Sequence, residues 1–190
     1  MSARSGLWLV RHARPLVAEG LCYGASDVEA DATHTEACAL TLAAELPQAA
    51  WVCVSALRRA QALAGSLSRQ RADLPSPVTD PRLNEMDFGQ WELQPWDRIP
   101  REAFDAWTAD FHGHCFGGRE SVGQRLQRVG QALEASRAVV AGGRDVVWVT
   151  HAGVIRAVQH LLQRPDETPT AASWPREAPD FGGFLAMALP

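Results

Sequence analysis

The chain has 190 residues, 46% apolar and 21% charged, with a net charge of −4. That is enough length to bury a core within one domain, and no charge excess points to nucleic acid or a membrane surface. All 18 basic residues are arginine, so a Walker-type phosphate loop and Schiff-base or pyridoxal chemistry are excluded, and any cation offered to an anionic ligand is a guanidinium.

In chain order, Gly6 to Val10 reads as a short buried strand that ends at the charged pair Arg11-His12. Asp31 to Leu46 reads as a helix, with Thr33 and Glu36 in capping-box spacing and Pro47 as its stop. Ala50 to Val54 is a second buried strand. Leu57, Ala60, Leu63, Ala64 and Leu67 then recur at helical spacing and predict a helix over Leu57 to Arg69. Pro75 to Pro81 is loop with a short strand near Val78. The segment from Leu83 to Gly118, rich in Trp, Pro and Gly, is irregular, with a helix near Arg101 to Phe111. Val122, Leu126, Val129, Leu133 and Val140 mark an amphipathic helix over Glu120 to Val140, ended by Gly142-Gly143. Asp145 to Thr150 is the strongest strand pattern, Val154 to Gln163 a helix stopped by Pro165, Pro165 to Pro179 a loop, and Gly183 to Leu189 a final strand.

Strands alternating with helices imply an α/β fold, a three-layer α/β/α sandwich around a mostly parallel sheet, with residues 1–190 as one domain. Cys22, Cys38, Cys53 and Cys115 form no C-x-x-C pair and suggest neither a zinc site nor a disulfide framework, so free thiols in a reducing compartment are expected. The polar opening from Met1 to Gly6 and the short apolar run Leu7 to Val10 do not make a secretion signal, and no stretch is long enough to span a bilayer. A cytoplasmic protein is expected.

Open α/β sheets bind ligands beyond the carboxyl ends of their strands. Two strands here end alike, at Val10-Arg11-His12 and Val149-Thr150-His151, and a third runs into Ser55-Ala56-Leu57-Arg58-Arg59. In a parallel sheet, two imidazoles and several guanidiniums then share one edge. A tetrahedral phosphate suits them, because its oxygens accept several charge-assisted hydrogen bonds at once.

These residues resemble the histidine phosphatase (phosphoglycerate mutase-like) superfamily. Leu9-Val10-Arg11-His12-Ala13 resembles its L-x-R-H-G signature, and Val149 to Arg156 resembles V-[ST]-H-G-G-x-[IL]-R. Ser55 to Ala60 resembles S-P-L-x-R-[AC], which puts the second arginine at Arg59 rather than Arg58. Leu83 to Glu92 resembles L-x-E-x-x-F-G-x-W-E, which puts an acid at Glu85. Gly118-Arg119-Glu120-Ser121 with Arg128-Val129 resembles the helix opening G-G-E-S…R-V. Gly20 to Asp27, which contains Tyr23 and Gly24, resembles the Y-G-x-x-D segment of the small α-ribazole phosphatase-like branch. Departures are Ala13 and Ala152 for glycines, Ala56 for proline, Leu93 for a glycine, and Ala18 where many members carry a phosphate-touching asparagine.

The resemblance implies a metal-independent phosphomonoesterase acting on a small phosphorylated metabolite, with no cofactor. His12 takes the phosphoryl group. Arg11, Arg59 and His151 hold its oxygens, with Tyr23, Gly24 and Ala152 also at the substrate. Glu85 gives a proton to the leaving alcohol, and burial beside Phe88 and Trp91 is expected to raise its pKa. No nucleic-acid or membrane partner is expected, and the chain is a monomer or homodimer. The rival activities are phosphoglycerate mutase-type transfer, disfavoured because such mutases carry an inserted segment, a non-catalytic phospho-ligand module, and a metal-dependent hydrolase. His112-Gly113-His114 has the look of a metal pair but reads better as exposed loop. His34 and His160 read as structural, and Arg156 as paired with an acid in its helix layer. Trp91, Trp96 and Trp107 either wall a pocket or simply pack, and Glu92 is either a second acid or a structural carboxylate. Specificity is expected from residues 93–117 and 165–181.

Overall fold

The computed structural model describes residues 6–189; the polar opening from Met1 to Ser5 and Pro190 lie outside the described residues. Five strands form one sheet in the order β3-β2-β4-β1-β5: β1 (Gly6–Arg11), β2 (Trp51–Val54), β3 (Val78–Thr79), β4 (Val146–Thr150) and β5 (Phe184–Ala188). β4 pairs parallel with β1 and β2, and β2 parallel with β3, while β5 runs antiparallel to β1. The sheet is therefore mostly parallel, as the alternating pattern predicts.

Period-two alternation sorts the side chains onto two faces. Val10, Val52, Val54, Val147 and Val149 meet helices α1 (Ala32–Glu45) and α2 (Arg58–Gln70). Leu7, Leu9, Val146 and Trp148 meet α4 (Val122–Ala141) and α5 (Ala152–Gln163). β4 is buried along its whole length because it is central and covered on both faces. Trp148, fully enclosed, satisfies its indole N–H by donating to Ser136 Oγ at 3.1 Å. Helix α3 (Arg101–Ala109) stands outside these layers and packs, through Phe104 and Trp107, on a separate aromatic cluster around Phe116.

Two helix starts differ from expectation or sharpen it. α1 is capped by Asp31, whose Oδ1 accepts from His34 N at 2.9 Å; Thr33 is not the cap, and Glu36 instead pairs with Arg69 across to α2. The capping box in this chain belongs to α4, where Ser121 and Gln124 satisfy each other's backbone N–H groups. The four cysteines are free. Among the described residues no helix is long and apolar enough to cross a membrane.

Candidate active site

Strand register brings the site together. Leu7 and Trp51 both align with Val146, and Arg11 aligns with Thr150, so β1, β2 and β4 finish at one edge. His12, Ser55 and His151 are each the first residue past that edge, and His12 N and Ser55 N extend the ladder by donating to Thr150 O (2.9 Å) and Val149 O (3.0 Å). The two imidazole centroids stand 5.0 Å apart and tilted by 57°. Both rings can therefore reach one tetrahedral anion.

His12 is 3% exposed. Its Nδ1 lies 2.7 Å from Ala13 O. A carbonyl only accepts, so Nδ1 carries the proton and Nε2 keeps its lone pair. Burial, followed by the positive charge of Arg59 and to a lesser extent Arg11, lowers the His12 pKa to about 3. The imidazole is therefore neutral at ordinary pH, as a nucleophile requires. His151 has its tautomer set by a chain of donors. Asn84 Oδ1 accepts from Ala56 N at 2.8 Å, so it also accepts from Ser55 Oγ at 2.8 Å. Ser55 has then spent its only proton, and His151 Nε2, 2.8 Å from Ser55 Oγ, must be the donor. That leaves His151 Nδ1 buried with no hydrogen-bond partner. Burial, then His12 and Arg59, pushes the His151 pKa well below its ordinary value.

Arg59 is fully buried and held from behind: Nη2 donates to Gly24 O at 2.6 Å and Nη1 to Ser26 O at 2.8 Å. Its guanidinium also stands 5.6 Å from the Tyr23 ring centre. The carbonyls that grip it are fixed by Glu92, whose carboxylate accepts from Gly24 N (3.0 Å), Ala25 N (2.9 Å), Ser26 N (3.1 Å), Ser26 Oγ (2.6 Å) and Phe88 N (2.9 Å). Glu92 is thus a structural carboxylate. Gly24 must be glycine, because a Cβ there would lie 1.9 Å from Met86 O and 2.8 Å from the Phe88 ring. Gly24 therefore reaches the site through its carbonyl on Arg59. Arg58, by contrast, points to solvent and pairs with Asp27 and Glu29. Arg11 lies over the Phe181 ring at 3.8 Å and donates from Nη1 to Pro179 O at 3.0 Å. Nε of Arg11 and Nε of Arg59 are both buried without partners.

Glu85 sits at the N-terminus of α5. Its Oε2 accepts from Gly153 N at 2.8 Å, its Oε1 from Met86 N at 2.9 Å, and Arg125 Nη1 is 3.5 Å from Oε1. The expected upward pKa shift is not what the site produces. Burial is the largest influence and does raise it, but Arg125, the Met86 and Gly153 N–H groups and Arg128 together leave the carboxyl below its ordinary value. Phe88 lines the same cavity as Glu85, whereas Trp91 is absent from that lining and packs on Phe116 with ring centres 6.1 Å apart. The segment carrying Glu85 is pinned by Arg128, which donates to Arg82 O and Asn84 O and pairs with Glu120 at 2.6 Å.

Arg11, Tyr23 and Glu85 open onto a cavity of about 490 Å³, whose further walls are Leu21, Met86, Phe88, Trp96, Trp107, Phe111, Arg125, Gly153, Arg156 and Trp174. His12, Arg59 and His151 are almost wholly buried and are not among its lining. Ala152 is not in the lining either; it starts α5 beside His151. Trp96 and Trp107 wall the cavity whereas Trp91 packs, which splits the three tryptophans between the two readings. Ala18 is exposed and borders a separate hollow with Arg14, Glu19 and Phe181. His112 is exposed, and His34 and His160 make structural hydrogen bonds to Arg14 N and Glu167 O. Among the described residues no acid pairs with Arg156; its Nε donates to Arg176 O at 3.2 Å and its side chain faces the cavity.

Several residues escape sequence reasoning. Phe181, 5.5 Å from the His12 ring and stacked on Arg11, lies in a segment without pattern. Ser55 and Asn84 orient His151 from inside matched motifs, where nothing marks them as polar partners. Arg125 had a legible signal: it falls on the buried stripe of α4, three residues after Val122 and four before Val129.

A parallel-sheet edge with two buried imidazoles, two guanidiniums and a carboxylate defines a class of α/β proteins built to handle a tetrahedral anion such as phosphate. The chain matches the histidine phosphatase superfamily (branch 1) over residues 7–176, and it belongs to that superfamily. Among solved structures it is similar to TTHB049 from Thermus thermophilus, at 29% identity and TM-score 0.72, over 97% of this chain and 94% of that one. It is also similar to a phosphoglycerate mutase from Thermus thermophilus (29%, TM-score 0.69, 97% and 94% covered). A mycobacterial glucosyl-3-phosphoglycerate phosphatase matches at 26% and TM-score 0.68, with 83% and 79% covered. A comparison with curated protein sequences found no match.

Proposed function

We propose that this protein is a phosphomonoesterase that hydrolyses a small phosphorylated metabolite through a phosphohistidine on His12. The observation that carries this reading is a set of unmet hydrogen bonds: Arg11 Nε, Arg59 Nε and His151 Nδ1 are buried around His12 with no partner. Native proteins rarely leave such groups unpaired; phosphate oxygens accept from the two guanidinium N–H groups, and from His151 Nδ1 once that nitrogen is protonated.

His12 Nε2 attacks phosphorus, the N–P bond forms, and the P–O bond to the alcohol breaks. Arg11 and Arg59 neutralise the transferring group. Burial, and then neighbouring positive charge, keep His151 neutral; a phosphate dianion offsets both, so Nδ1 takes a proton from solvent as the substrate binds and donates to an oxygen. The same dianion raises the proton affinity of Glu85, which takes a proton from solvent as the substrate binds and passes it to the leaving alkoxide. Glu85 then takes a proton from water as the water oxygen attacks phosphorus and the N–P bond breaks.

His12→Ala is expected to abolish hydrolysis of p-nitrophenyl phosphate with the circular dichroism spectrum unchanged, and wild-type turnover is expected to persist in excess chelator. A His12→Ala rate equal to wild type would overturn the assignment. Glu85→Gln is expected to slow alkyl phosphates at least about tenfold more than p-nitrophenyl phosphate, whose leaving group needs little protonation. Equal losses would remove Glu85 from the proton-donor role.

Phosphoglycerate mutase-type transfer is the second reading. The Thermus thermophilus mutase is covered over 94% of its length, so chain length does not separate the two activities. Incubation with 3-phosphoglycerate and a trace of bisphosphoglycerate does: isomerisation without phosphate release identifies a mutase. A panel of phosphorylated metabolites that includes α-ribazole phosphate tests the branch that Gly20 to Asp27 resembles.

A further inference from the structure

The cavity beside Glu85 holds more positive charge than one phosphate uses. Arg11, Arg125 and Arg156 all face it, and among the described residues Glu85 is the sole acid in its lining. Arg125 is 5% exposed and its Nε is buried with no partner. Its ion-pair contact with Glu85 Oε1 is 3.5 Å, longer than a hydrogen bond, and the closer donors to Glu85 are the backbone N–H groups of Met86 and Gly153. Arg156 repels both Arg11 and Arg125, and Glu85 is the acid that attracts both from within the cavity lining.

Burying a guanidinium costs several kcal/mol unless it is paired and hydrogen-bonded. Arg125 lies on the buried stripe of α4, where an apolar side chain would pack without that cost. Besides the 3.5 Å contact with Glu85, it lies over Trp174, whose ring centre is 5.1 Å from the guanidinium carbon. The rest of the wall is flat and apolar, with Trp107 and Phe111 stacked at 5.4 Å and Trp174 edge-on to Phe111 at 5.7 Å. Apolar walls exclude water and strengthen any charge pairing within them. At about 490 Å³ the space holds a small molecule's body as well as a phosphate.

We infer that this cavity is a second subsite, in which Arg125 and Arg156 grip a second anionic group, a carboxylate or phosphate-type oxyanion, of a phosphomonoester whose apolar body lies on Trp107, Phe111 and Trp174. The inference rests on the phosphatase reading above and deepens it: the phosphate goes to His12 and the far anion to the two α-helical arginines. It also assigns Arg125 a double contact, since an anion that occupies it draws its charge away from Glu85.

The test uses three aryl phosphates with matched leaving groups: 4-(carboxymethyl)phenyl phosphate, its methyl ester and 4-(phosphonomethyl)phenyl phosphate. The wild-type kcat/KM is expected to be about tenfold or more higher for one or both of the anionic substrates than for the ester, and which of them gains identifies the anion. Arg156→Gln and Arg125→Met are expected to bring that ratio close to unity; Arg156 is only half-buried, so its variant keeps the test open should Arg125→Met fold poorly. Titration calorimetry with the matching benzylphosphonates measures the same ratio without turnover. Equal affinity for the charged and esterified benzylphosphonates, or a ratio untouched by Arg156→Gln, overturns the inference. Ester hydrolysis that vanishes in His12→Ala upholds the phosphatase reading independently, and no hydrolysis of any of the three defeats that reading while the calorimetric ratio still decides the subsite.

Discussion

Glu92 offers the sharpest test of how the site is held. Replacing it with glutamine keeps size and shape but turns one acceptor oxygen into an amide donor. Whichever way the amide sits, that donor faces two backbone N–H groups: Gly24 and Ser26 on the Oε2 side, or Ala25 and Phe88 on the Oε1 side. At least two charge-assisted hydrogen bonds are lost, each worth about 1.5 kcal/mol at the low end. The expected destabilisation is about 3 kcal/mol, a fall of about 6–12 °C in Tm for a chain of this size. The loop that loosens is the one whose carbonyls hold Arg59. Glu92→Gln is therefore expected to lower kcat/KM for p-nitrophenyl phosphate about tenfold or more, measured well below the new Tm, and to cost little further activity in an Arg59→Ala background. A Tm within about 2 °C of wild type, or the same activity loss in both backgrounds, would show that Glu92 does not act through Arg59.

Gly153→Ala places a Cβ 2.2 Å from Glu85 Oε1 and 2.7 Å from Arg125 Nη1, so the carboxylate must leave its seat. Hydrolysis of alkyl phosphates is expected to fall by about two orders of magnitude with the melting transition still cooperative, and a rate near wild type would dispose of Glu85 as the acid. The buried histidines make stability depend on pH. The folded chain keeps His12 neutral down to about 3, through burial first and then Arg59, whereas the unfolded chain protonates it near 6.5. Its contribution is therefore complete above about pH 6.5 and is lost as pH falls through that window towards 3, amounting to about 5 kcal/mol at the acid end. Thermal melts between pH 7 and 4 should show a shallower decline for His12→Asn than for wild type; parallel declines would contradict a neutral, buried His12.

Much of the fold was readable because it rests on local chemistry. Alternating and continuous apolar runs marked β1, β2 and β4, and stop residues marked the ends of α1 and α5. The cap of α1 was misplaced by a pattern: Thr33 and Glu36 have capping spacing, but Asp31 stands at the right backbone position, and Arg69 on α2 claims Glu36. The Glu85 environment misled for a similar reason. Neighbouring aromatics in sequence suggested burial alone, while the charges and N–H groups that reverse its effect come from α4 and α5.

By itself the sequence determined which side chains end the strands, and that is a local matter: a polar Arg-His or Thr-His pair breaks the apolar pattern of a valine-rich run. It also determined that guanidinium is the cation. Only the tertiary structure decided which arginine faces what. Arg59, Arg125 and Arg156 are helical arginines of equal chemistry, and their roles differ because packing buries one behind the 24–26 loop, one against Trp174 and leaves one at a cavity wall. The tautomer of His151 was likewise beyond any single segment, since it depends on donors from residues 55 and 56 meeting the Asn84 acceptor at one point.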